Sequence, residues 1–455
     1  MLQIHPNIEL TLECPLCSTQ LIATDWVHTG MRIMIDCRCE QCKKGFFSEL
    51  PVNSALFYPG TIDKATGKRV DKMPFDNWYL SGLESAYAKK DDGPVNIEIV
   101  ENKKIGDKPV LLLNTIDATY GHALYELLNA GYYLLQTDFD LVIIVQRNLS
   151  WLVPKGPAQI WIADIPFGRA ANWLNRMDGL VKKQLRLCKE IFICRSFVQA
   201  DSTDFDIFEF TSVKPFPLDE WDKRMDRPVV TFIWRNDRFW RPVLPRLINN
   251  RVTQRIFPSL LVNLAKRIQF KWILKFAEEL KAQIPSVDFA IAGMDEKKPK
   301  LPSWIRDLRF PTHEDETARL QLERYAASHV VLGCNGSSLL LPGCMAGAVI
   351  DIVPGDQWAV SAGTFPFRFT SIGDTHYRYI LLPPEVTIRR VVSVLVSLLR
   401  DRSYVEIQTS HPWRDHTAKL GPYAWRDHRI DIFNTTKKFS SQKGLVTTSK
   451  SKKGK

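Results

Sequence analysis

The sequence predicts an α/β protein in which two consecutive Rossmann-like domains face each other across a cleft, behind a small cysteine-rich region. Three observations lead to this fold class. Short apolar runs alternate with amphipathic stretches, the alternation stops near residue 220 and starts again, and 455 residues are too many for one ordinary core. Hydrophobic residues form 45% of the chain and charged residues 24%, which is typical of a globular protein.

Composition and punctuation divide the chain into four expected regions. These are a cysteine-rich region at 1–54, a first α/β domain at 55–220, a second at 221–435 and a disordered basic tail at 436–455. The charged stretch 219–227, which ends in Arg-Pro, is the expected linker between the α/β domains. Tyr-Pro-Gly and Asp-Asp-Gly-Pro punctuation predicts irregular structure from 55 to 94.

Two Cys-x-x-Cys pairs mark the front of the chain. Cys14 pairs with Cys17 and Cys39 with Cys42, and 21 residues separate the pairs. Each pair forms a tight knuckle that aims two thiolates at one point, so two knuckles complete a tetrahedral site for structural zinc. The strand-like alternation between them favours a zinc ribbon, and so short a region needs the metal to fold. Cys37 competes with Cys39 as a ligand, although Cys39 has the better spacing.

Apolar runs of strand length recur in both halves of the chain. In the first half they lie at 108–114, 141–145, 160–163 and 190–194, with helical periodicity at 121–135 and 172–187. In the second half they lie at 229–234, 287–292, 329–332 and 348–353, with helical periodicity at 257–283, 317–327 and 388–400. This alternation indicates parallel sheets covered on both faces, which bind ligands beyond the carboxyl ends of their strands.

The net charge of +11 comes largely from the end of the chain. Seven lysines follow the last acid, Asp431, at positions 437, 438, 443, 450, 452, 453 and 455. We expect a solvated tail, and the alternative is attraction to an anionic membrane face. No apolar run approaches the roughly 20 residues that span a bilayer, and residues 1–10 do not resemble a signal peptide. A cytoplasmic location is expected, with peripheral contact at the inner face of the membrane as the alternative.

The segment Gly-Cys-Asn-Gly-Ser-Ser at 333–338, here called the glycine loop, joins a buried strand to an apolar helical stretch. Gly333 and Gly336 allow a tight turn and a close approach to a ligand. The amides of Gly336, Ser337 and Ser338 would open the next helix, where N–H groups and the helix dipole favour a phosphate. The alternative is an ordinary strand–turn–helix with a serine cap.

Three arginines follow the first strand of the same domain. Arg235, Arg238 and Arg241, here called the arginine strip, lie past a carboxyl strand end, on the side where the glycine loop opens. Guanidinium groups bind phosphate oxygens in pairs. The two elements together predict a clamp for a diphosphate, and the alternative for the strip is a solvated charged loop.

Four stretches together resemble glycosyltransferase family 61. They are the arginine strip within 234–241, the helical stretch 316–328, the run 330–354 with Gly-Cys-Asn-Gly-Ser-Ser and Gly-Ala-Val-Ile-Asp-Ile, and Tyr-Gly-His-Ala-Leu-Tyr-Glu-Leu-Leu at 120–128. Related patterns occur in fucosyltransferase-like enzymes. The chain departs from the family pattern at Asn335, where the family has histidine, and at Asp351, where it often has glutamate. The proline after the 120–128 motif is also missing.

The resemblance implies a GT-B glycosyltransferase whose UDP- or GDP-linked sugar donor binds in the second domain. It implies that Arg235 and Arg241 contact the diphosphate, and that Asn335, Gly336, Ser337 and Ser338 surround the phosphates and the sugar. Asp351 would orient a hydroxyl, or else simply face solvent. Arginines and amides meet the charge of the leaving diphosphate, so no catalytic metal is expected. Asp138-Phe-Asp140 has the spacing of a metal motif but precedes a strand.

An inverting transfer needs a base that removes the proton of the acceptor hydroxyl. His122 and Glu126 lie one helical turn apart at the start of a helix, and Asp164 ends the strand at 160–163. Each is a candidate base, and capping or packing is the alternative for each. Candidate platforms for sugar stacking are Trp221, Trp234, Trp240 and Trp358.

The sequence therefore predicts an inverting, metal-independent glycosyltransferase. It would move a sugar to a glycan or lipid-linked acceptor, in surface polysaccharide synthesis. One alternative is a zinc-ribbon protein that binds nucleic acid, but this leaves the long α/β body unexplained, so nucleic acid is not an expected partner. The other is a catalytically degenerate scaffold, which the substitution at Asn335 would explain.

Overall fold

A computed structural model describes residues 1–56, 58–71, 78–196, 206–240, 258–295, 299–311, 315–353 and 378–400. These residues belong to one compact unit, Met1–Arg400. Arg241, Trp358 and the basic tail at 436–455 lie outside the described residues.

The amino-terminal strand belongs to the first α/β domain and not to the cysteine-rich region. Strand β1 (Leu2–His5) runs antiparallel to Ile191–Ile193. The cysteine-rich region then forms an antiparallel meander of β2 (Leu21–His28), β3 (Ile33–Cys39), β4 (Gly45–Glu49) and β5 (Thr61–Asp63).

Helix α1 (Trp78–Ala88) lies in the stretch that we expected to be irregular. Tyr79, Leu80, Leu83 and Ala86 are all buried, at spacings that place them on one side of a helix. The turn-forming residues around this short pattern concealed it. Together with β5, α1 extends the ribbon region beyond residue 54.

A buried ion pair joins the cysteine-rich region to α1. Arg32 donates to the Glu49 carboxylate and to the carbonyl oxygen of Tyr79. The hydroxyl of Tyr79 donates to Glu49 Oε1 at 2.6 Å. The Arg32 and Glu49 side chains are only 4% and 1% exposed. Removal of one partner would leave a buried unpaired charge, which typically costs about 3–5 kcal/mol.

The first α/β domain has a six-stranded sheet in the order β1-β10-β7-β8-β9-β6. Its strands are β6 (Ile97–Glu101), β7 (Val110–Asn114), β8 (Asp140–Gln146), β9 (Gln159–Ala163) and β10 (Ile191–Ile193). The four central strands are parallel, and β1 and β6 run antiparallel at the edges. Every residue of β7 and β8 is buried, as expected for strands covered on both faces. The helices are α2 (Tyr120–Leu128), α3 (Ala130–Tyr133), α4 (Phe167–Ala170), α5 (Asn175–Leu185) and α6 (Ile207–Thr211).

The second α/β domain has a fully parallel sheet in the order β13-β12-β11-β14-β15-β16. Its strands are β11 (Val229–Trp234), β12 (Asp288–Met294), β13 (Ile305–Phe310), β14 (Val330–Cys334), β15 (Ala348–Ile352) and β16 (Tyr379–Leu382). Counted within the domain, this is the order 3-2-1-4-5-6 of a Rossmann sheet. The helices are α7 (Pro258–Gln283), α8 (Asp315–Ala327), α9 (Leu340–Met345) and α10 (Ile388–Arg400). The predicted fold class of two Rossmann-like domains is confirmed.

The two domains share an apolar cluster. It contains Leu113 and Leu124 of the first domain and Ile233 and Leu340 of the second, all at least nine-tenths buried. Within the described ranges, no helix combines the length and the apolar character that crossing a bilayer requires.

Candidate functional site

Four cysteine side chains converge beside the turn between β3 and β4. The sulfur atoms of Cys14, Cys17, Cys39 and Cys42 all lie within 4.8 Å of one another. The distance from Cys14 Sγ to Cys42 Sγ is 3.7 Å, and that from Cys17 Sγ to Cys39 Sγ is 3.4 Å. The edges of a ZnS4 tetrahedron measure about 3.8 Å when each Zn–S bond is near 2.3 Å. This all-thiol cluster could therefore hold one metal ion.

Cys37 and His28 lie outside this cluster. Cys37 is fully buried, and its thiol donates to the carbonyl oxygen of Phe46 at 3.5 Å. His28 is also fully buried, and its Nδ1 accepts the N–H of Gly30 at 3.3 Å. Burial lowers the pKa of His28 to about 3, so this imidazole stays neutral. The geometry therefore selects Cys39 and not Cys37.

The second sheet has a topological switch point between β11 and β14. From β11 the chain adds β12 and β13 on one side, and then crosses to add β14 on the other side. Ile233 of β11 pairs with Gly333 of β14, so the segments that follow these residues emerge side by side. Ligands of such sheets bind in the crevice that the carboxyl ends form at this point.

The glycine loop leaves β14 through two residues in the left-handed half of conformational space. The φ angle is 28° at Asn335 and 113° at Gly336. A Cβ atom on Gly336 would lie 3.0 Å from Arg235 Nη1, so a larger residue would push against the guanidinium group. A 3-10 turn, Ser337–Leu339, follows and leads into α9. Glycine at 336 thus permits both the backbone turn and the close approach of Arg235.

Arg235 links the arginine strip to the glycine loop. Its Nη1 donates to Ser338 Oγ at 3.2 Å. Its Nε and Nη2 donate to the two carboxylate oxygens of Asp237 at 2.8 and 2.7 Å. Arg238 is more exposed, and its Nε lies 3.9 Å from Asp237 Oδ2. Arg235 and the glycine loop therefore form one site, in which Asp237 occupies the guanidinium fork.

Asp351 of β15 supports the glycine loop from below and does not face solvent, since it is only 2% exposed. Its Oδ1 accepts the backbone N–H of Asn335 at 2.9 Å, and its Oδ2 accepts the hydroxyl of Tyr379 at 3.2 Å. Burial raises the pKa of Asp351 to about 7. These bonds hold Asn335 in its strained conformation.

His122 lies in the first turn of α2, past the carboxyl end of β7, and its side chain is one-third exposed. Its Nδ1 lies 3.5 Å from Oδ1 of the buried Asp117, which is longer than a regular hydrogen bond. The same Asp117 oxygen accepts the N–H and the hydroxyl of Thr119 at 2.7 and 3.0 Å. Asp117 is therefore a fixed carboxylate beside an accessible imidazole.

Glu126 and Asp164 are placed less favourably for contact with an acceptor. Glu126 is fully buried, and neither carboxyl oxygen has a hydrogen-bond partner within the described part of the chain. Burial and the nearby Asp117 raise the pKa of Glu126 well above its usual range, so it keeps its proton. Asp164 follows β9 and pairs with Arg147, which also donates to Glu98 at 3.0 Å.

Helix α2 of the first domain touches the glycine loop of the second. A Cβ atom on Gly121 would lie 2.6 Å from Ser337 Cβ and 3.1 Å from Leu340 Cδ1. Only a residue without a side chain fits at this contact. The start of α2, which also carries His122, is thus held against the glycine loop.

Several other candidates do not face this site. Trp221, Trp234 and Trp240 are 4%, 2% and 0% exposed and belong to the core of the second domain, so they offer no open face to a sugar. Asp140 of the alternative metal motif is the first residue of β8, at the amino-terminal end of the parallel strands, and accepts a hydrogen bond from Lys103 Nζ at 2.7 Å.

Three residues of this site were missed from the sequence, namely Asp117, Gly121 and Asp237. Asp117 follows β7 by three residues, a position that could have been flagged because polar residues past parallel strands often serve ligands. Asp237 lies inside the arginine strip, where an acid reads as ordinary charge balance. Nothing in the sequence indicates that Gly121 meets the other domain.

Comparison with known proteins gives weak similarities only. No protein-family model matches the sequence, and no curated protein sequence is similar to it. Among solved structures, E. coli ADP-heptose LPS heptosyltransferase II aligns with a TM-score of 0.34 at 10% identity, over 65% of this chain and 99% of that chain. A UDP-N-acetylglucosamine 2-epimerase candidate from Listeria monocytogenes gives 0.30 at 12%, over 65% and 67%. The glycotransferase of kitacinnamycin gives 0.26 at 13%, over 67% and 71%. At TM-scores below 0.5, these similarities do not decide the function.

Proposed function

We propose that the chain is a glycosyltransferase that moves a sugar from a nucleotide-diphosphate donor to an acceptor hydroxyl. The observation that carries this proposal is the contact of Arg235 with Ser338 and Gly336 at the switch point of the second sheet. An arginine fork and a glycine–serine loop at this point suit a diphosphate.

The donor diphosphate would take the place that the Asp237 carboxylate now holds on Arg235. Two carboxylate oxygens at 2.8 and 2.7 Å stand in for two phosphate oxygens. The Asp237 side chain is 61% exposed, so it is free to turn into solvent when the donor arrives. Ser337, Ser338 and Arg238 border the same space and would contribute further donors, so that growing charge on the leaving group is met without a catalytic metal.

His122 is our candidate for the base. If the Asp117 carboxylate accepts a hydrogen bond from Nδ1–H of His122, then Nε2 of His122 has a lone pair that can accept the proton of the acceptor hydroxyl. His122 is the better candidate because Glu126 is buried and protonated and Asp164 is paired with Arg147. The apo distance of 3.5 Å between His122 and Asp117 would shorten when the acceptor binds. An inverting outcome is part of this proposal.

We further propose that Cys14, Cys17, Cys39 and Cys42 hold a structural zinc ion. Four thiolates close the coordination shell, so the ion would stabilise the ribbon without a catalytic role. The acceptor is proposed to be a glycan or a lipid-linked glycan in surface polysaccharide synthesis at the cytoplasmic face of the membrane. This last step rests on the family resemblance of the motifs.

The alternative of a nucleic-acid-binding ribbon has less support, because cations of the ribbon are matched by acids. Lys64 pairs with Asp36 at 2.7 Å and Lys44 with Asp63 at 3.4 Å. Arg38 and Lys43 both pair with Glu40. Phosphate binding requires cations that are available to replace counterions.

A panel of nucleotide sugars tests the proposal through thermal stabilisation. A binding donor raises the melting temperature of the wild type because it binds only the folded state. The proposal predicts a shift with one UDP- or GDP-sugar, and its loss in Arg235→Ala but not in Arg389→Ala, an exposed arginine of α10. A shift with single-stranded or duplex nucleic acid and with no nucleotide sugar would overturn the proposal.

A further inference from the structure

A second charged cavity, open to solvent on one side, lies at the amino-terminal ends of the strands of the second sheet. Its volume is about 540 Å³, and it is formed by the carboxyl end of α7 and the residues around the starts of β11, β12 and β13. The six residues of β11 separate this end of the sheet from Arg235, which corresponds to about 20 Å at the rise of a strand. The cavity is therefore distinct from the candidate donor site.

Three cations line this cavity, and they outnumber its acid. They are Arg227, Lys281 and Arg306, and the acid is Asp288. Both oxygens of Asp288 are already engaged, since Oδ2 lies 3.2 Å from Arg227 Nη2 and Oδ1 lies 2.9 Å from Nη2 of the buried Arg324. Within the described part of the chain, neither Lys281 nor Arg306 lies at ion-pairing distance from a carboxylate. The cavity thus carries an uncompensated positive charge.

The surrounding structure holds these cations in place. Lys281 Nζ lies 4.3 Å from the centroid of the Trp304 ring, a cation–π contact that fixes the ammonium group on the cavity wall. Trp304 lies in the turn before β13 and Arg306 is the second residue of that strand, and both line the cavity. Arg400 donates to the carbonyl oxygen of Gln283 at 3.2 Å, which offsets the negative end of the α7 dipole.

The pKa shifts of Asp288 and Arg324 also reflect the excess of positive charge. Burial alone would raise the pKa of Asp288, but the hydrogen bond and the charge of Arg324, with the charges of Arg227 and Arg306, outweigh it, so the pKa of Asp288 is lowered. Burial lowers the pKa of Arg324, and the charges of Arg306 and Arg227 lower it as well. A bound anion would relieve this repulsion.

We propose that this cavity binds a small ligand that carries a diphosphate group. Arg227 and Arg306 would each hold phosphate oxygens through their planar forks, with Lys281 as a point charge between them. The ligand ends in a free diphosphate, as in pyrophosphate or a nucleoside diphosphate. A nucleotide sugar is a different ligand, because its terminal phosphate is esterified to the sugar and carries less negative charge, and we do not expect it to occupy this cavity.

The test uses the full chain with Arg235→Ala, so that the candidate donor site is silenced. Pyrophosphate and adenosine diphosphate are titrated by calorimetry into this protein at low salt. The proposal predicts one saturable site whose Kd rises at least ten-fold when Arg306→Gln or Lys281→Gln is added. Addition of Arg389→Gln, an exposed arginine that is not part of the cavity lining, leaves Kd unchanged.

Comparison of the two probes identifies the source of the diphosphate. Equal affinities mean that the cavity binds the diphosphate alone, and tighter binding of the nucleotide means that a base packs in the cavity too. The proposal is overturned if the Arg235→Ala protein binds neither probe. It is also overturned if both Arg306→Gln and Lys281→Gln leave the affinity as it was.

Discussion

Arg235 Nη1 donates to Ser338 Oγ at 3.2 Å, although 103 positions separate the two residues in the sequence. The contact exists because β11 and β14 are neighbours in the sheet, and the segments that follow them both turn at the carboxyl ends of these strands. It places an arginine fork over Gly336, where a side chain would collide with it. This juxtaposition is the basis of the proposed donor site.

We expect Asp237 to compete with the donor for Arg235, so its replacement should strengthen donor binding. Asp237→Asn removes the charge that now neutralises Arg235 and that would repel a diphosphate. We expect the Kd for the nucleotide sugar to fall by up to about five-fold, because an exposed ion pair contributes up to about 1 kcal/mol. Calorimetry measures the change, with the exposed Asp226→Asn as the control. Weaker binding in Asp237→Asn would mean that Asp237 positions Arg235 and does not compete.

Two glycine substitutions should change stability in opposite directions. Gly121→Ala places a Cβ atom 2.6 Å from Ser337 Cβ and so forces the domains apart, at a cost of about 1–3 kcal/mol. Gly179→Ala in α5 meets no atom within 4 Å and should stabilise the helix by about 0.5–1 kcal/mol. Thermal unfolding of both variants measures the difference. Equal melting temperatures would show that α2 is not packed against the glycine loop.

The cysteine cluster predicts a selective effect on metal content. Cys39→Ser should remove bound zinc and lower the melting temperature, because the ribbon loses one of four ligands. Cys37→Ser should retain zinc, since its thiol lies outside the cluster and donates to Phe46. Elemental analysis of the purified proteins measures zinc per chain. Retention of zinc by Cys39→Ser together with its loss from Cys37→Ser would reverse the assignment.

We expect Asp351 to make the free energy of unfolding depend on pH. Burial raises its pKa to about 7, whereas an unfolded aspartate titrates near 4. Between these values the folded state binds more protons, so the free energy of unfolding falls as pH rises. Asp351→Asn removes the titrating carboxyl group, and the amide oxygen of the asparagine can still accept the Asn335 N–H. The stability of the wild type relative to Asp351→Asn should therefore decline from pH 4 to pH 8, by up to about 4 kcal/mol.

Thermal unfolding at several pH values measures this decline. The exposed Asp226→Asn serves as the control and should show no comparable trend. A difference between wild type and Asp351→Asn that stays constant from pH 4 to pH 8 would contradict the assignment of a raised pKa to Asp351.

Strands that are buried on both faces could be predicted from the sequence, and edge strands could not. β14 is a continuous apolar run, and β15 is apolar apart from Asp351, so both could be anticipated. β13 was missed because it lies at the edge and reads Ile-Arg-Asp-Leu-Arg-Phe. Its Arg309 is fully buried only because Asp307 and Asp295 neutralise it, which is a tertiary arrangement that no local pattern reveals.

The candidate site could likewise be predicted only in part. The proximity of Arg235 to the glycine loop could be anticipated, because the carboxyl ends of parallel strands meet at one edge. The spacing of His122 and Glu126 indicated that they share one helix. It did not reveal that His122 is accessible and Glu126 is buried. Nor could the sequence show that Trp240 lies in the core, since an aromatic residue beside a loop has no preferred side.

Titration of the stabilising nucleotide sugar into three proteins tests the central claim most directly. These are the wild type, Arg235→Ala at the switch point, and Arg306→Gln in the second cavity. We expect saturable binding to the wild type, a Kd at least ten-fold higher in Arg235→Ala, and unchanged binding in Arg306→Gln. Equal donor affinity in the wild type and Arg235→Ala would contradict it.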